Sequence, residues 1–189
     1  MKKWLLLLLV PMILIGCAQE ANHPNRSLSE FFVHMQKGEY AEAEAYIASD
    51  ENERLADNLE SFGKDSDFVR IMRAFEFELE DAEITDDTAI VQVSSKYRNL
   101  VPAFSGAMNE MTGLIFTDPS LQALSQEQIE QRVFEMLSTH AKELEPELEW
   151  KEESFPVTMV KNGESWQVNL DNEALVLMLS GHLFKNQPE

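Results

Sequence analysis

The apolar residues of this chain recur at a helical spacing in some segments and alternate with polar residues in others. Four of them, early in the chain, occupy positions i, i+3, i+4 and i+7 of one helical face: Leu28, Phe31, Phe32 and Met35. Ser27 and Glu30 form a capping-box pattern that predicts the helix start, and Gly38 predicts its end. Tyr40 opens a second helical pattern, and Asp50 predicts the cap of a third helix. The apolar side of that third helix carries Leu55, Leu59 and Phe62.

Residues 75–97 show the alternation of two strands that each bury one face. Asp86 and Asp87 predict the turn between these strands, and the second strand extends to Tyr97. The apolar positions are Phe75, Phe77 and Leu79 in the first strand and Ala89, Val91 and Val93 in the second.

A helical spacing returns between Pro102 and Glu145, with a break at Asp118-Pro119. Ser125 and Gln128 form a second capping-box pattern. The first predicted stripe consists of Phe104, Ala107, Met108, Met111 and Ile115. The second consists of Ile129, Val133, Met136, Leu137, His140, Ala141 and Leu144.

The last third of the chain predicts a hairpin and a closing helix. Asn162-Gly163 is a strong signal for a two-residue turn, and a break is expected near Pro156. The predicted cross-strand pairs are Lys161 with Glu164, Met159 with Trp166, Val157 with Val168, and Phe155 with Leu170. Asp171 predicts the cap of the helix, and Gly181 interrupts it.

The first seventeen residues have the layout of a secretory signal. Lys2 and Lys3 precede an uncharged apolar run from Trp4 to Ile15, and Gly16 then precedes Cys17, the single cysteine of the chain. Twelve apolar residues interrupted by a proline are short for a membrane span, which needs roughly 20. A cleaved leader over residues 1–16 is therefore favoured over the alternative of an uncleaved anchor helix.

Leu14-Ile15-Gly16-Cys17 resembles the lipobox of bacterial lipoproteins. The resemblance implies that Cys17 becomes the lipidated N-terminus and that residues 17–26 form a tether. It places the protein on the extracytoplasmic side of the cell membrane, or in the outer membrane if the organism has two. The lipid on Cys17 is thus the predicted link to the membrane, since two or three acyl chains together hold firmly.

The net charge of the chain disfavours some classes of binding partner. The formal net charge is −19, and removing the two lysines of the leader makes it −21. Such an acidic chain lacks the basic footprint of a nucleic-acid-binding protein, and it should stand off anionic lipid. The carboxylates of residues 76–87 favour a solvated sheet face over a calcium site, because the EF-hand spacing is absent. With one cysteine the chain forms no internal disulfide, so burial must hold the fold.

The segment Lys161-Asn162-Gly163-Glu164-Ser165-Trp166, together with Phe31-Phe32 and Lys37-Gly38-Glu39-Tyr40, resembles small bacterial lipoproteins with an NTF2-like (cystatin-like) domain. The resemblance implies an α+β domain over residues 27–186, in which N-terminal helices pack on a curved antiparallel sheet. A helical insertion at about 102–145 and a C-terminal helix complete the expected architecture. A cavity between sheet and helices would be walled by Tyr97, His140, Trp150 and Trp166.

No catalytic constellation stands out, so we expect no enzyme, no cofactor and no metal site. The predicted function is that of a non-enzymatic binding module for an envelope protein or a small apolar ligand. One alternative is an isomerase or dehydratase, which would need a carboxylate near Tyr97 or His140 inside the cavity between sheet and helices. The predicted inward strand positions contain no carboxylate, which disfavours that alternative. Another alternative is a self-associating structural protein of the envelope.

Overall fold

A curved antiparallel sheet with helices packed against it forms the framework, as the computed structural model describes it for residues 23–48 and 66–183. The helices are α1 (Pro24–Lys37), α2 (Tyr40–Glu44), α3 (Asp67–Met72), α4 (Val101–Thr117), α5 (Gln126–Leu144) and α6 (Glu173–Leu179), with a 3₁₀ helix at Pro119–Ala123. The strands are β1 (Glu76–Leu79), β2 (Glu83–Thr85), β3 (Thr88–Arg98), β4 (Trp150–Asn162) and β5 (Ser165–Val168). The predicted α+β class is confirmed.

The long pair of β3 and β4 forms the centre of the sheet. Its register runs from Thr88 opposite Val160 to Arg98 opposite Trp150. β1 and β2 share the other edge of β3, and β5 pairs with the end of β4. Odd-numbered residues of β3 and β4 point to one face, here called the inner face, and most of them are buried.

Two apolar clusters hold these elements together. The first lies between the inner face of the sheet and the helices α1, α2 and α6, with Phe31, Phe32 and Trp166 among its buried residues. The second joins α3 to α4 and α5, and Leu100 and Leu148 contribute to it from the ends of β3 and β4. The segment predicted as an insertion thus shares this second cluster with α3 and with the ends of β3 and β4.

The first helix begins earlier than predicted. His23 is its N-cap and accepts a hydrogen bond from the Asn25 backbone, while Pro24 occupies the first turn. Proline suits this position because its fixed φ is helical and its missing N–H would have no partner there. Ser27 therefore lies inside α1, and residues 24–26 of the predicted tether are helical. The predicted stop at Gly38 is confirmed, with a φ of 73°.

The last hairpin has a different register from the predicted one. The two-residue turn is Gly163-Glu164, and Met159 lies opposite Val168 instead of Trp166. Gly163 has a φ of 63° at the first central position, where a two-residue turn of type II′ requires glycine. Because the shift is two residues, Met159, Trp166 and Val168 keep their buried faces.

The break predicted near Pro156 is also absent, since β4 continues through this residue. The Gln92 carbonyl opposite Pro156 accepts from the Glu80 backbone, so it points away from β4. Pro156 therefore directs its nitrogen away from β3, on the side where β5 has already ended, and no ladder hydrogen bond is lost. Residues beyond Pro156 keep their alternation.

The closing helix starts one residue later than predicted. Asn172 is the N-cap of α6, and its side chain accepts from the Leu175 backbone, whereas Asp171 was predicted for this role. The Asn172 amide also donates to the Pro156 carbonyl, which ties the cap to β4. The predicted third helix with Asp50, Leu55, Leu59 and Phe62 lies outside the described residues.

Candidate functional site

Helix α4 exposes a row of large apolar side chains. Val101, Phe104, Met108 and Ile115 are each between 37% and 50% exposed, and we call them the α4 stripe. Their spacing of three, four and seven residues places them on one line along the helix. Phe116, which is 84% exposed, directly follows Ile115, the last residue of the α4 stripe.

The α4 stripe differs from the face predicted to be buried. Ala107 and Met111 of that face are buried together with Ala103, but Phe104, Met108 and Ile115 are exposed. The contact with α5 uses small residues: a Cβ at Gly106 would lie 2.9 Å from His140 Nδ1. Close packing through glycine and alanine leaves the adjacent large side chains outside the contact.

His140 lies in the contact between α4 and α5. Its Nε2 is 3.0 Å from Glu110 Oε2, so the carboxylate partner comes from the other helix. Glu110 is the one charged residue among residues 101–117. The α4 stripe is consequently free of charge, although the whole chain is strongly acidic.

A polar cluster at the end of the inner face forms a second candidate site. Tyr97 of β3 is buried, and its hydroxyl is 3.1 Å from Nδ1 of His182, which follows α6. The Glu153 carboxylate of β4 also hydrogen-bonds this hydroxyl. Burial raises the pKa of Tyr97 above its ordinary value, and the hydrogen bond and charge of Glu153 raise it further. Tyr97 therefore keeps its proton and stays neutral over a wider pH range than a solvated tyrosine.

The backbone before His182 is fixed by close packing. Gly181 and His182 have φ values of 63° and 73°, and the second is unusual for a residue with a side chain. A Cβ at Gly181 would lie 2.5 Å from Leu100 Cδ1, so only glycine fits against this leucine. The Leu100 backbone also donates to the Gly181 carbonyl at 2.8 Å. This turn directs His182 towards Tyr97.

The raised pKa of Tyr97 predicts a loss of stability at alkaline pH. Since the folded-state pKa exceeds the ordinary 10.0, the contribution of Tyr97 is complete below pH 10 and is lost as pH rises above that value. We expect the free energy of unfolding to fall less steeply for Tyr97→Phe than for the wild type as the pH rises from about 10 to 12. Urea denaturation at several pH values measures both slopes, and equal slopes would contradict the assignment.

The four predicted wall residues do not share one place. Tyr97 and Trp166 are both buried in the cluster between sheet and helices. Trp150 is 36% exposed on the outer face, with the Arg98 guanidinium 3.9 Å from its ring centre, and His140 lies between α4 and α5. Two concave regions of the described surface are lined by other residues. Cys17 lies outside the described residues.

Sequence reasoning missed Glu153 and His182. Extending the alternation of β4 through Pro156 would have placed Glu153 on the inner face, so the expectation of no inward carboxylate was wrong. His182 gave no signal, because its position depends on the turn at Gly181. In the described parts of the chain, no group of three or more potential metal ligands is close enough to hold an ion. The same parts contain no helix with the length and apolarity needed to cross a membrane.

Comparison with known proteins gives a distant likeness. No family model matches the chain, and no curated protein matches it. The chain is similar to the crystal structure of "a putative lipoprotein (ycdA) from Bacillus subtilis subsp. subtilis str. 168", with a TM-score of 0.40 and 16% identity. The match covers 85% of this chain and 47% of that one, so the chain spans about half the length of that protein. A likeness at this TM-score establishes neither the fold nor the function of this chain.

Proposed function

We propose that this protein is a lipid-anchored lipoprotein of the extracytoplasmic membrane surface and acts there as a non-enzymatic binding module. The lipobox-like sequence ending at Cys17 supports the anchor. The exposed α4 stripe supports the binding role and is the observation on which that role rests. Contiguous apolar surface on a soluble domain is typical of an interaction site, because its burial removes it from water.

The partner that fits this surface best is a protein. The α4 stripe lies along one side of a 17-residue helix, a length of roughly 25 Å. Such a row presents spaced apolar anchors to another chain, as in helix-in-groove recognition. An exposed row has less of the enclosure that a small apolar ligand needs.

Replacing Cys17 with serine is expected to release the protein from the membrane without unfolding it. Serine does not accept the acyl chains, and position 17 precedes the described fold. Membrane fractionation and mass spectrometry of the mature N-terminus measure the result, and circular dichroism checks the fold. A serine variant that stays in the membrane fraction, or an unacylated wild-type Cys17, would refute the anchor.

A photo-crosslinking residue at Phe104 tests the binding role in intact cells. The matched control is the same residue at Ile90, which is 41% exposed on the outer face of the sheet, against 42% for Phe104. We expect a discrete protein adduct from position 104 and none from position 90. Absence of adducts at Phe104 and Met108 would argue against binding through α4.

The polar cluster favours a second candidate, an enzyme of the acid-base type. The Tyr97 hydroxyl has two titratable groups beside it, the side chains of Glu153 and His182. The test is turnover of a panel of hydroxy-ketones and enones by the wild type and by Tyr97→Phe. Turnover that the variant loses would support the enzyme, whereas equal rates, or none, would leave the binding module as the better account.

A further inference from the structure

We propose that Met108 is a site of reversible oxidation by peroxide, and that the resulting methionine sulfoxide weakens binding through the α4 stripe. The selectivity of the oxidation depends on the fold alone, whereas its effect on binding rests on the proposed binding function. Two observations carry the proposal. The first is the exposure of Met108 in contrast to the other described methionines, and the second is its position within the α4 stripe.

Met108 is much more exposed than the other methionines that the structure describes. The chain has nine methionines, and all except Met1 and Met12 lie in the described residues. Met108 is 40% exposed, whereas none of the others described is more than 6% exposed. Those buried methionines are Met35, Met72, Met111, Met136, Met159 and Met178. Because oxidation of a thioether follows its access to the oxidant, Met108 is the described methionine that dissolved peroxide reaches in the folded protein.

Met111 shows that the exposure of Met108 comes from the packing of α4. It lies three residues further along the same helix, within the cluster that joins α3, α4 and α5, and is 5% exposed. A sulfur buried in this way meets peroxide only when the structure opens locally, so its oxidation is slow. Met111 therefore provides a matched reference, with the same residue type on the same helix.

The oxidation is a two-electron transfer of one oxygen atom. The Met108 sulfur gives an electron pair to one oxygen of hydrogen peroxide, and an S–O bond forms as the O–O bond breaks. The departing hydroxide takes the proton of the transferred oxygen and leaves as water. Methionine sulfoxide reductases reverse the change. A dithiol then supplies two electrons and two protons, the oxygen leaves as water, and the dithiol becomes a disulfide.

The sulfoxide changes the polarity of the α4 stripe near its middle. Met108 lies one turn after Phe104 and two turns before Ile115, and the stripe itself contains no charged residue. Oxidation converts an apolar thioether into a polar group that accepts hydrogen bonds. Burial of that group against an apolar partner surface costs free energy, because it loses its hydrogen bonds to water. The oxidised stripe should therefore bind a partner more weakly.

Peptide mass spectrometry of the full chain in nanodiscs of saturated phosphatidylcholine tests the selectivity. After exposure to hydrogen peroxide, we expect Met108 to gain one oxygen at least roughly tenfold faster than Met111. In concentrated urea the two rates should become similar, because unfolding exposes both sulfurs. Equal rates in the folded protein, or a difference that persists in urea, would overturn the proposal.

Two further measurements belong to the same experiment. Methionine sulfoxide reductase with dithiothreitol should remove the oxygen from Met108, and a sulfoxide that stays in place would contradict the reversible site. Circular dichroism should be unchanged by the oxidation, because the modified side chain lies outside the core. A large loss of helix on oxidation of Met108 would mean that the sulfoxide acts by unfolding the protein, and would overturn the proposed effect on the stripe.

The effect on binding is tested with the photo-crosslinking residue at Phe104 in intact cells. The adduct yield of each variant after peroxide is compared with its own yield without peroxide. We expect peroxide to lower the yield at least roughly fivefold in the otherwise unchanged chain and in Met111→Leu. It should not change the yield in Met108→Leu, since leucine has no sulfur. Met108→Gln, which places a polar uncharged side chain there, should give a low yield without peroxide.

The outcomes separate the oxidation site from the binding function. Adducts that peroxide lowers equally with and without Met108→Leu would overturn the proposal, as would adducts that persist after Met108 has been oxidised. Absence of adducts in untreated cells would reject the binding function itself and, with it, the effect of oxidation on binding. Mass spectrometry decides the selective oxidation of Met108 in each of these cases.

Discussion

Replacing Trp166 with alanine is expected to lower the free energy of unfolding by about 3–5 kcal/mol. The indole is 4% exposed on β5 and packs in the cluster between the sheet and the helices. Its loss removes a large apolar surface from the core and leaves a cavity that the rigid sheet cannot close. Chemical denaturation monitored by circular dichroism measures the change.

Trp150 provides the matched control for this variant. It is 36% exposed on the outer face, where the Arg98 guanidinium stacks 3.9 Å from the ring centre. Since an exposed cation–π contact is worth about 0.5–1 kcal/mol, Trp150→Ala should cost much less than Trp166→Ala. Similar losses for both variants, or a loss well below about 1 kcal/mol for Trp166→Ala, would contradict the burial of Trp166.

The sequence allowed most elements of the described fold to be predicted, because their signals are local. Alternation in β3 places Ala89, Val91 and Val93 inward, and they are buried. The capping box of Ser125 and Gln128 is present at the start of α5. Such patterns depend on residues a few positions apart, so they need no knowledge of distant contacts.

The errors in the fold have physical causes of two kinds. At Gly163 two turns one residue apart were both compatible with the glycine, and the turn with glycine first shifted the register by two. The missing N–H of Pro156 was expected to break β4. The nitrogen of Pro156 points away from β3, however, and on that side β5 pairs only with residues 159–162 of β4. In both cases the deciding factor is the geometry of the partner strand, which local sequence does not contain.

The candidate sites were harder to predict than the fold. The α4 stripe looked like core, because a helical spacing marks an apolar face without saying how much of it a neighbour covers. The neighbour is α5, and small residues at Gly106 and Ala107 make that contact narrow. The polar cluster required residues 97, 153 and 182 to meet, which follows only from the topology of the sheet and the turn after α6.

The buried face of α1 and the exposed α4 stripe should respond differently to the loss of a phenylalanine. The buried face gives the second large expected effect on stability. Phe32→Ala should destabilise the fold by about 3–5 kcal/mol, because Phe32 is fully buried in α1. Its ring centre is 4.8 Å from that of Phe77 and 5.9 Å from that of Phe75. Helix α1 therefore packs against the start of the sheet through aromatic contacts. Thermal and chemical denaturation measure the loss.

Phe104→Ala is the informative partner of Phe32→Ala, because it changes the same residue type on the α4 stripe. With 42% of its surface exposed, Phe104 should contribute less than about 1.5 kcal/mol to folding, and its replacement should affect binding instead. A destabilisation by Phe104→Ala as large as that by Phe32→Ala would mean that the stripe is part of the core. A small destabilisation with lost crosslinking at the neighbouring Met108 would identify the stripe as a surface kept apolar for a partner.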